Sequence, residues 1–297
     1  MKKKILALLM ATSLVIGMIG CSAEVEGDKE TTTGVESVEV AEKEATAETD
    51  VESAASADAT TSASVMQSEY IQEYTPKGFT DGDKKKALFV VGDPRKDSVN
   101  YDLINTAMKH FEENNVEVEI RDLYNMNFNP VLMPEDFFYA KDGKGEPSEV
   151  VKTEQEYVTK ADYIIFAYAN WHDTPNAIVK GYMEKVFAKK YAYEDTAEGL
   201  RGMLTEKSIF TIMNAGFLGG GRGDIGDGVG MNDATWDEYL KAFKVLDDDT
   251  AGFWGVENKG RFVNDRTPKN NSENFEVEIN ELRESLKSKL DVVYSLK

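Results

Sequence analysis

From Lys84 onward, short continuous apolar runs alternate with stretches in which apolar residues recur every third or fourth position. Ala87 to Val91 is continuously apolar, which predicts a strand buried on both faces, and Leu103, Ile104, Ala107, Met108 and Phe111 follow at helical spacing. Val116 to Ile120 alternates with glutamates and predicts a second strand near a sheet edge. Ala161 to Ala169 predicts a third, with Ile178, Val179, Tyr182, Met183 and Val186 on the helix behind it. Ile209 to Met213 and Ala251 to Val256 predict two more strands, and Phe275, Ile279, Leu282, Leu286 and Leu290 mark a closing helix.

This alternation is the pattern of an open, doubly wound α/β sheet with parallel strands. Five strands suit more than one strand order, so the loops must decide between them. In such a sheet, ligands bind beyond the carboxyl ends of the strands where the strand order reverses. That directs attention to the loops after the first and third strands, with the fourth loop beside them.

Outside this region the pattern is different. Residues 1–20 begin with Met1 and three lysines, then run apolar from Ile5 to Ile19, a secretory signal too short to span a membrane. Met18-Ile19-Gly20-Cys21 resembles a bacterial lipoprotein cleavage site, which would lipidate Cys21 and hold the protein on the extracytoplasmic face of the cell membrane. The alternative is an ordinary signal peptide with an incidental cysteine. Residues 21–83 are assigned to an acidic tether, because from Ser22 to Met66 there is no aromatic and no hydrophobic period to offset the entropy of ordering. Residues 84–297 form the folded domain.

One cysteine excludes an internal disulfide, and two histidines, His110 and His172, leave no Cys/His cluster for zinc or iron-sulfur ligation. The formal net charge of -20 argues against nucleic acid as a partner.

Chemistry is concentrated in the predicted loops. After the first strand, Gly92-Asp93-Pro94-Arg95-Lys96-Asp97-Ser98-Val99-Asn100 leads into a helix, where free N–H groups favour a phosphate. Ser98 or Asn100 acting only as a helix cap is the competing reading. The third loop reads Tyr168-Ala169-Asn170-Trp171-His172-Asp173-Thr174-Pro175, followed by Lys180-Gly181 and Val186-Phe187-Ala188-Lys189-Lys190-Tyr191-Ala192-Tyr193. This stretch resembles the NAD(P)H:quinone oxidoreductase family, whose third loop runs Trp-aromatic-Gly-x-Pro-Ala-Ile-x-Lys-Gly and ends in Val-Phe, Gly-Phe-Ala-Tyr. Pro94, Ser98 and Asn100, Arg121-Asp122-Leu123-Tyr124, Asn129-Pro130-Val131-Leu132, Gly199-Leu200 and Met213-Asn214-Ala215-Gly216 resemble further motifs of that family, in the same order.

The resemblance implies a flavodoxin-like, doubly wound five-stranded parallel sheet of order 2-1-3-4-5. It implies a flavin, FAD or FMN, with its phosphate end on Ser98, Val99 and Asn100 and its ring against Asn170, Trp171 and the backbone of Asn214, Ala215 and Gly216. Tyr191 and Tyr193 would line the side where NAD(P)H and a quinone-like acceptor alternate, and a histidine acid would be His172. A homodimer with flavin at the interface is common in the family. The sequence also departs from the pattern: Asp93 stands where the family has histidine, Asp173 replaces a glycine, one extra residue separates Pro175 from Lys180, and Met213-Asn214-Ala215-Gly216 replaces Thr-Thr-Gly-Gly.

Gly216 to Gly230 contains Gly221-Arg222-Gly223-Asp224-Ile225-Gly226, a G-x-G-x-x-G string on the wrong strand for a dinucleotide fingerprint; a lid is the better reading. Asp224, Asp227 and Asp233 lack the EF-hand spacing for calcium. The expected activity is two-step hydride transfer from NAD(P)H through bound flavin to a quinone. The alternatives are a surface flavoprotein electron carrier that does not use NAD(P)H, and a flavin-scavenging or structural domain without turnover.

Overall fold

The computed structural model describes residues 68–139, 145–172, 174–215, 233–265, 268 and 272–296. The apolar runs form β1, Lys86–Gly92, and β3, Tyr163–Ala169, while the glutamate-alternating segment forms β2, Glu117–Asp122. An antiparallel hairpin, β4 at Tyr193–Thr196 and β5 at Gly199–Gly202, follows. β6, Ser208–Ala215, and β7, Glu257–Asp265, complete a parallel sheet ordered β2-β1-β3-β6-β7. Five parallel strands are therefore present, but the order reads 2-1-3-6-7 rather than 2-1-3-4-5, because the hairpin is inserted in the chain between the third and fourth strands of the sheet.

Helices cover both faces, which is why β1, β3 and β6 read as unbroken apolar runs. On one face α1, Val99–Glu113, and α5, Phe275–Tyr294, pack Leu103, Ile104, Phe111, Leu286 and Leu290 against Ala87, Phe89 and Val91. On the other, α2, Glu149–Lys160, α3, Ala177–Val186, and α4, Asp233–Trp254, pack Val158, Val179, Tyr182 and Trp254 against Leu88, Val90, Ile164 and Phe166. Each large apolar side chain buried in this way contributes about 1.5–3 kcal/mol.

Two expectations need correction. Ala251 to Val256 is not the fifth strand: Ala251 and Trp254 lie on the buried stripe of α4 with Phe243, at helical spacing. Gly255, at φ +75°, then ends the helix, and the strand begins at Glu257. β7 was hidden because it is an edge strand with a largely polar sequence. The second correction concerns the tether boundary. Gln72 donates its N–H to Asp102 Oδ1 at 2.7 Å, Lys77 to Glu112 Oε1 at 2.7 Å, and Gly78 to the Val118 carbonyl at 3.0 Å. Tyr74 and Phe79 pack against the two cores. Residues 72–79 thus belong to the folded domain, consistent with the aromatics that begin at Tyr70. Among the described residues, no helix is long and apolar enough to cross a membrane.

Candidate functional site at the carboxyl ends of the strands

β1 ends at Gly92, paired with Tyr168, and β3 ends at Ala169, paired with Asn214 of β6. The three loops that carry the sequence-predicted residues therefore leave the sheet side by side. The Asn170 N–H donates to the Asn214 carbonyl at 2.9 Å, which joins the third loop to the end of β6. Asn214 Oδ1 accepts from Asn264 Nδ2 at 2.6 Å, and Ala215 is buried beside it.

α3 is locked onto this end of the sheet by a residue that the motif comparison passed over. Asn176 is its N-cap: Oδ1 accepts from the Val179 N–H at 3.4 Å, while Nδ2 donates across to the Gly92 carbonyl at 2.5 Å. A Cβ on Gly92 would lie 2.3 Å from Val179 Cγ2, so only glycine lets β1 end this close to α3. An asparagine just before an apolar helical stripe is a cap signal readable in sequence; its bond to another strand is not.

At the start of α1, Ser98 is the N-cap and its Oγ accepts from the Tyr101 N–H at 3.2 Å. The capping reading of Ser98 therefore holds, while Val99 and Asn100 present first-turn N–H groups that no helix carbonyl can satisfy. The loop before them is filled by Asp93. Its buried carboxylate accepts from Arg95 N at 2.9 Å, Arg95 Nε and Nη2 at 3.1 Å each, and Asn100 Nδ2 at 3.1 Å. The same carboxylate holds the Arg95 guanidinium above its ordinary pKa. Behind it, Tyr101 donates to Asp122 Oδ2 at 2.6 Å, and burial pushes its phenol pKa up. Lys96 pairs with the same carboxylate and donates to the Tyr101 hydroxyl at 2.8 Å.

Trp171 is 44% exposed rather than packed in the core, and its segment is closed by a bridge to Thr174. His172 follows at φ +56°, exposed at the mouth. Asn100 Oδ1 and Asn170 Oδ1 are both buried without a hydrogen-bond partner.

The residues fit one part of a flavin and not another. An exposed indole can cover a flat ring, and two buried acceptors without donors suit a ligand carrying N–H and O–H groups. The side-chain donors that a phosphate would need are engaged by Asp93.

Tyr191 and Tyr193 are not brought to this end. α3 starts beside Gly92 and runs away from it, so the residues that follow it lie at the amino ends of the strands. There the Tyr191 hydroxyl donates to the Gln155 carbonyl at 2.7 Å and lies 2.9 Å from Thr159 Oγ1, on the last turns of α2 just before β3 begins. Burial pushes its pKa up to about 12. Tyr193 opens β4 with its ring centroid 4.1 Å from that of Phe253. A cavity of about 520 Å³ also opens at that end, between Asp162, Lys207, Glu257 and Tyr294, away from the loops. Cys21, Asp173, Gly216, and the glycine-rich run with Asp224 and Asp227 lie outside the described residues, as does the side chain of Asp233.

A family model described as "Flavodoxin-like fold" matches residues 85–288. An "Uncharacterized NAD(P)H oxidoreductase" of Haemophilus influenzae is 34% identical over 105 residues, 35% of this chain and 51% of that protein. An "FMN-dependent NADH:quinone oxidoreductase" of Macrococcus caseolyticus is 29% identical over 147 residues, 44% of this chain and 69% of that protein. The chain spans about half the length of the first curated relatives it matches. A solved structure of a putative quinone reductase from Klebsiella pneumoniae superposes with TM-score 0.56 at 23% identity, over 72% of this chain and 86% of that one, a likeness of fold.

Proposed function

The chain belongs to the flavodoxin-like fold family, and from that premise we propose that it is a flavin-dependent NAD(P)H oxidoreductase acting on quinones or similar two-electron acceptors. The observation that carries this reading is the convergence of the loops after β1, β3 and β6, with Trp171 exposed and Asn170 Oδ1 buried without a donor. The names of the relatives, NAD(P)H oxidoreductase and FMN-dependent NADH:quinone oxidoreductase, support it. A bound flavin, FMN or FAD, supplies a centre that takes up two electrons from a nicotinamide and passes them to the acceptor. Trp171 covers a flat ring, Asn170 accepts a hydrogen bond from ligand N–H or O–H, and His172 stands exposed beside them as the candidate acid. The N-termini of α1 and α3 favour developing negative charge.

Because Tyr191 and Tyr193 lie at the other end of the same chain, a tyrosine-lined nicotinamide face has to come from a second copy. We therefore include a homodimer in the reading, with Tyr193, the less buried of the pair, on that face. Lipidation at Cys21 and placement on the extracytoplasmic face complete it. Reduced nicotinamides are scarce there, and this favours the second reading, a surface electron carrier that keeps the flavin and does without NAD(P)H.

One experiment separates these. The full chain, reconstituted with FMN, FAD or riboflavin, is titrated anaerobically with NADH and NADPH while flavin absorbance is followed. Rapid bleaching is expected. A yellow protein indifferent to both nicotinamides replaces the reductase with the carrier, and a chain that takes up no flavin sinks both.

A further inference from the structure

We propose that Asp93 determines which flavin the site accepts: its carboxylate takes the place of a ligand phosphate at the N-terminus of α1, so the chain selects phosphate-free riboflavin over FMN and FAD. The proposal rests on the flavin reading above and adds the identity of the ligand.

In an open α/β sheet, a phosphate beyond β1 is held by the N–H groups and side-chain donors where the next helix begins. Here the side-chain donors already hold an anion, while the first-turn N–H groups of Val99 and Asn100 stay free. The Asp93 carboxylate receives the Arg95 N–H, two guanidinium N–H groups and the Asn100 amide, and lies 3.4 Å from Ser98 Oγ. It is buried, and the residue before it is fastened to α3 through the bond from Asn176 to the Gly92 carbonyl. A phosphate entering this cradle must displace the carboxylate or lie beside it, and two anions out of water at such separation disfavour one another strongly.

What the buried side chains leave open is of the opposite character. The same Asn100 amide that donates to Asp93 keeps its Oδ1 buried without a partner, and Asn170 Oδ1 is likewise buried and unpartnered. Both are acceptors, so the ligand that completes them must donate hydrogen. A phosphate dianion has no hydrogen to give. The ribityl hydroxyls and ring imide of riboflavin have several, carry no charge, and belong to the part of a flavin that FMN and FAD share. The free acceptors thus fit the common portion, and Asp93 closes the portion that differs.

The test is quenching of flavin fluorescence by the full chain, titrated with riboflavin, FMN and FAD, for the wild type, Asp93→Asn and Asp93→Ser, with far-UV circular dichroism to show that the variants fold. The wild type is expected to bind riboflavin at least as tightly as FMN. Removing the carboxylate is expected to tighten FMN by about tenfold while riboflavin changes by less than about threefold. A wild type that prefers FMN to riboflavin by about tenfold or more overturns the proposal whether or not the variants fold, and leaves the flavin reading intact. FMN affinity unchanged in both folded variants also overturns it. Binding of none of the three flavins removes the flavin reading itself, and the proposal with it.

Discussion

Replacing Asn176 with alanine tests the structural logic of the site at its junction. The side chain has two duties in one buried place: Oδ1 caps α3 through the Val179 N–H, and Nδ2 satisfies the Gly92 carbonyl at the end of β1. Loss of an asparagine cap costs about 1 kcal/mol, and a buried carbonyl left without its donor costs about 1–3 kcal/mol. Asn176→Ala should therefore destabilise the fold by about 2–4 kcal/mol. Asn176→Asp keeps the capping oxygen but has no hydrogen for Gly92, so it should recover no more than the capping share. Urea unfolding followed by tryptophan fluorescence measures both, with the shift in midpoint read as stability only while the denaturant slope is unchanged. An alanine variant within about 0.5 kcal/mol of wild type, or an aspartate variant as stable as wild type, would refute the argument that this bond holds α3 to β1.

Trp171→Ala should change stability by less than about 0.5 kcal/mol, because the ring is largely outside the core, yet weaken flavin binding about tenfold by fluorescence titration; unchanged affinity would remove Trp171 from the site. Tyr191→Phe should cost about 1 kcal/mol through its lost bonds to Gln155 and Thr159 while leaving the rate of flavin bleaching by NADH as in the wild type. A slower rate in a folded Tyr191→Phe protein would restore Tyr191 to the reacting side. Glu154, buried, takes Arg121 Nε at 2.9 Å and Nη2 at 2.5 Å and the Tyr182 hydroxyl at 3.2 Å. Glu154→Ala strands the guanidinium and should cost about 3–5 kcal/mol in a urea titration; a loss below about 1 kcal/mol would mean that water reaches Arg121.

The parts of the fold that could be read from sequence are those in which burial on both faces leaves a continuous apolar signature: β1, β3, β6 and the stripes of α1, α3 and α5. Edge position hid β7, where Phe262 is the apolar side chain buried against the core of α1 and α5 and the sequence reads as polar. It also let the strongly apolar end of α4 pass for a strand. α2 was missed because its buried side includes Glu154 and Gln155, polar residues that do not register as part of an apolar stripe. The placement of Ser98, Asn100, Asn170, Trp171 and Asn214 at one end of the sheet was legible because strand boundaries alone put their loops at the carboxyl ends, while their roles rest on the family resemblance. The position of Tyr191 and Tyr193 at the amino ends of the strands needs a length argument that the motifs do not supply. α3 has 10 residues and at 1.5 Å per residue spans about 15 Å, most of the roughly 20 Å covered by the seven residues of β3, so residues that follow it emerge toward the far end.

The position of the site follows from one reversal in strand order. The chain leaves β1 for β2 on one side of it and later returns to β3 on the other, so α1 and α3 are carried to opposite faces of the sheet. Their N-termini nevertheless meet at the same place, because both helices follow strands that end there and those strands are neighbours. Two helix dipoles thus point their positive ends into one crevice without any formal charge. The formal charges nearby are engaged with one another, Arg95 with Asp93 and Lys96 with Asp122. Such a crevice favours negative charge, including electron density that arrives on a neutral ring. Under the proposal above, Asp93 occupies the part of this crevice that a ligand phosphate would enter, and the remainder is the part suited to a reducible ring.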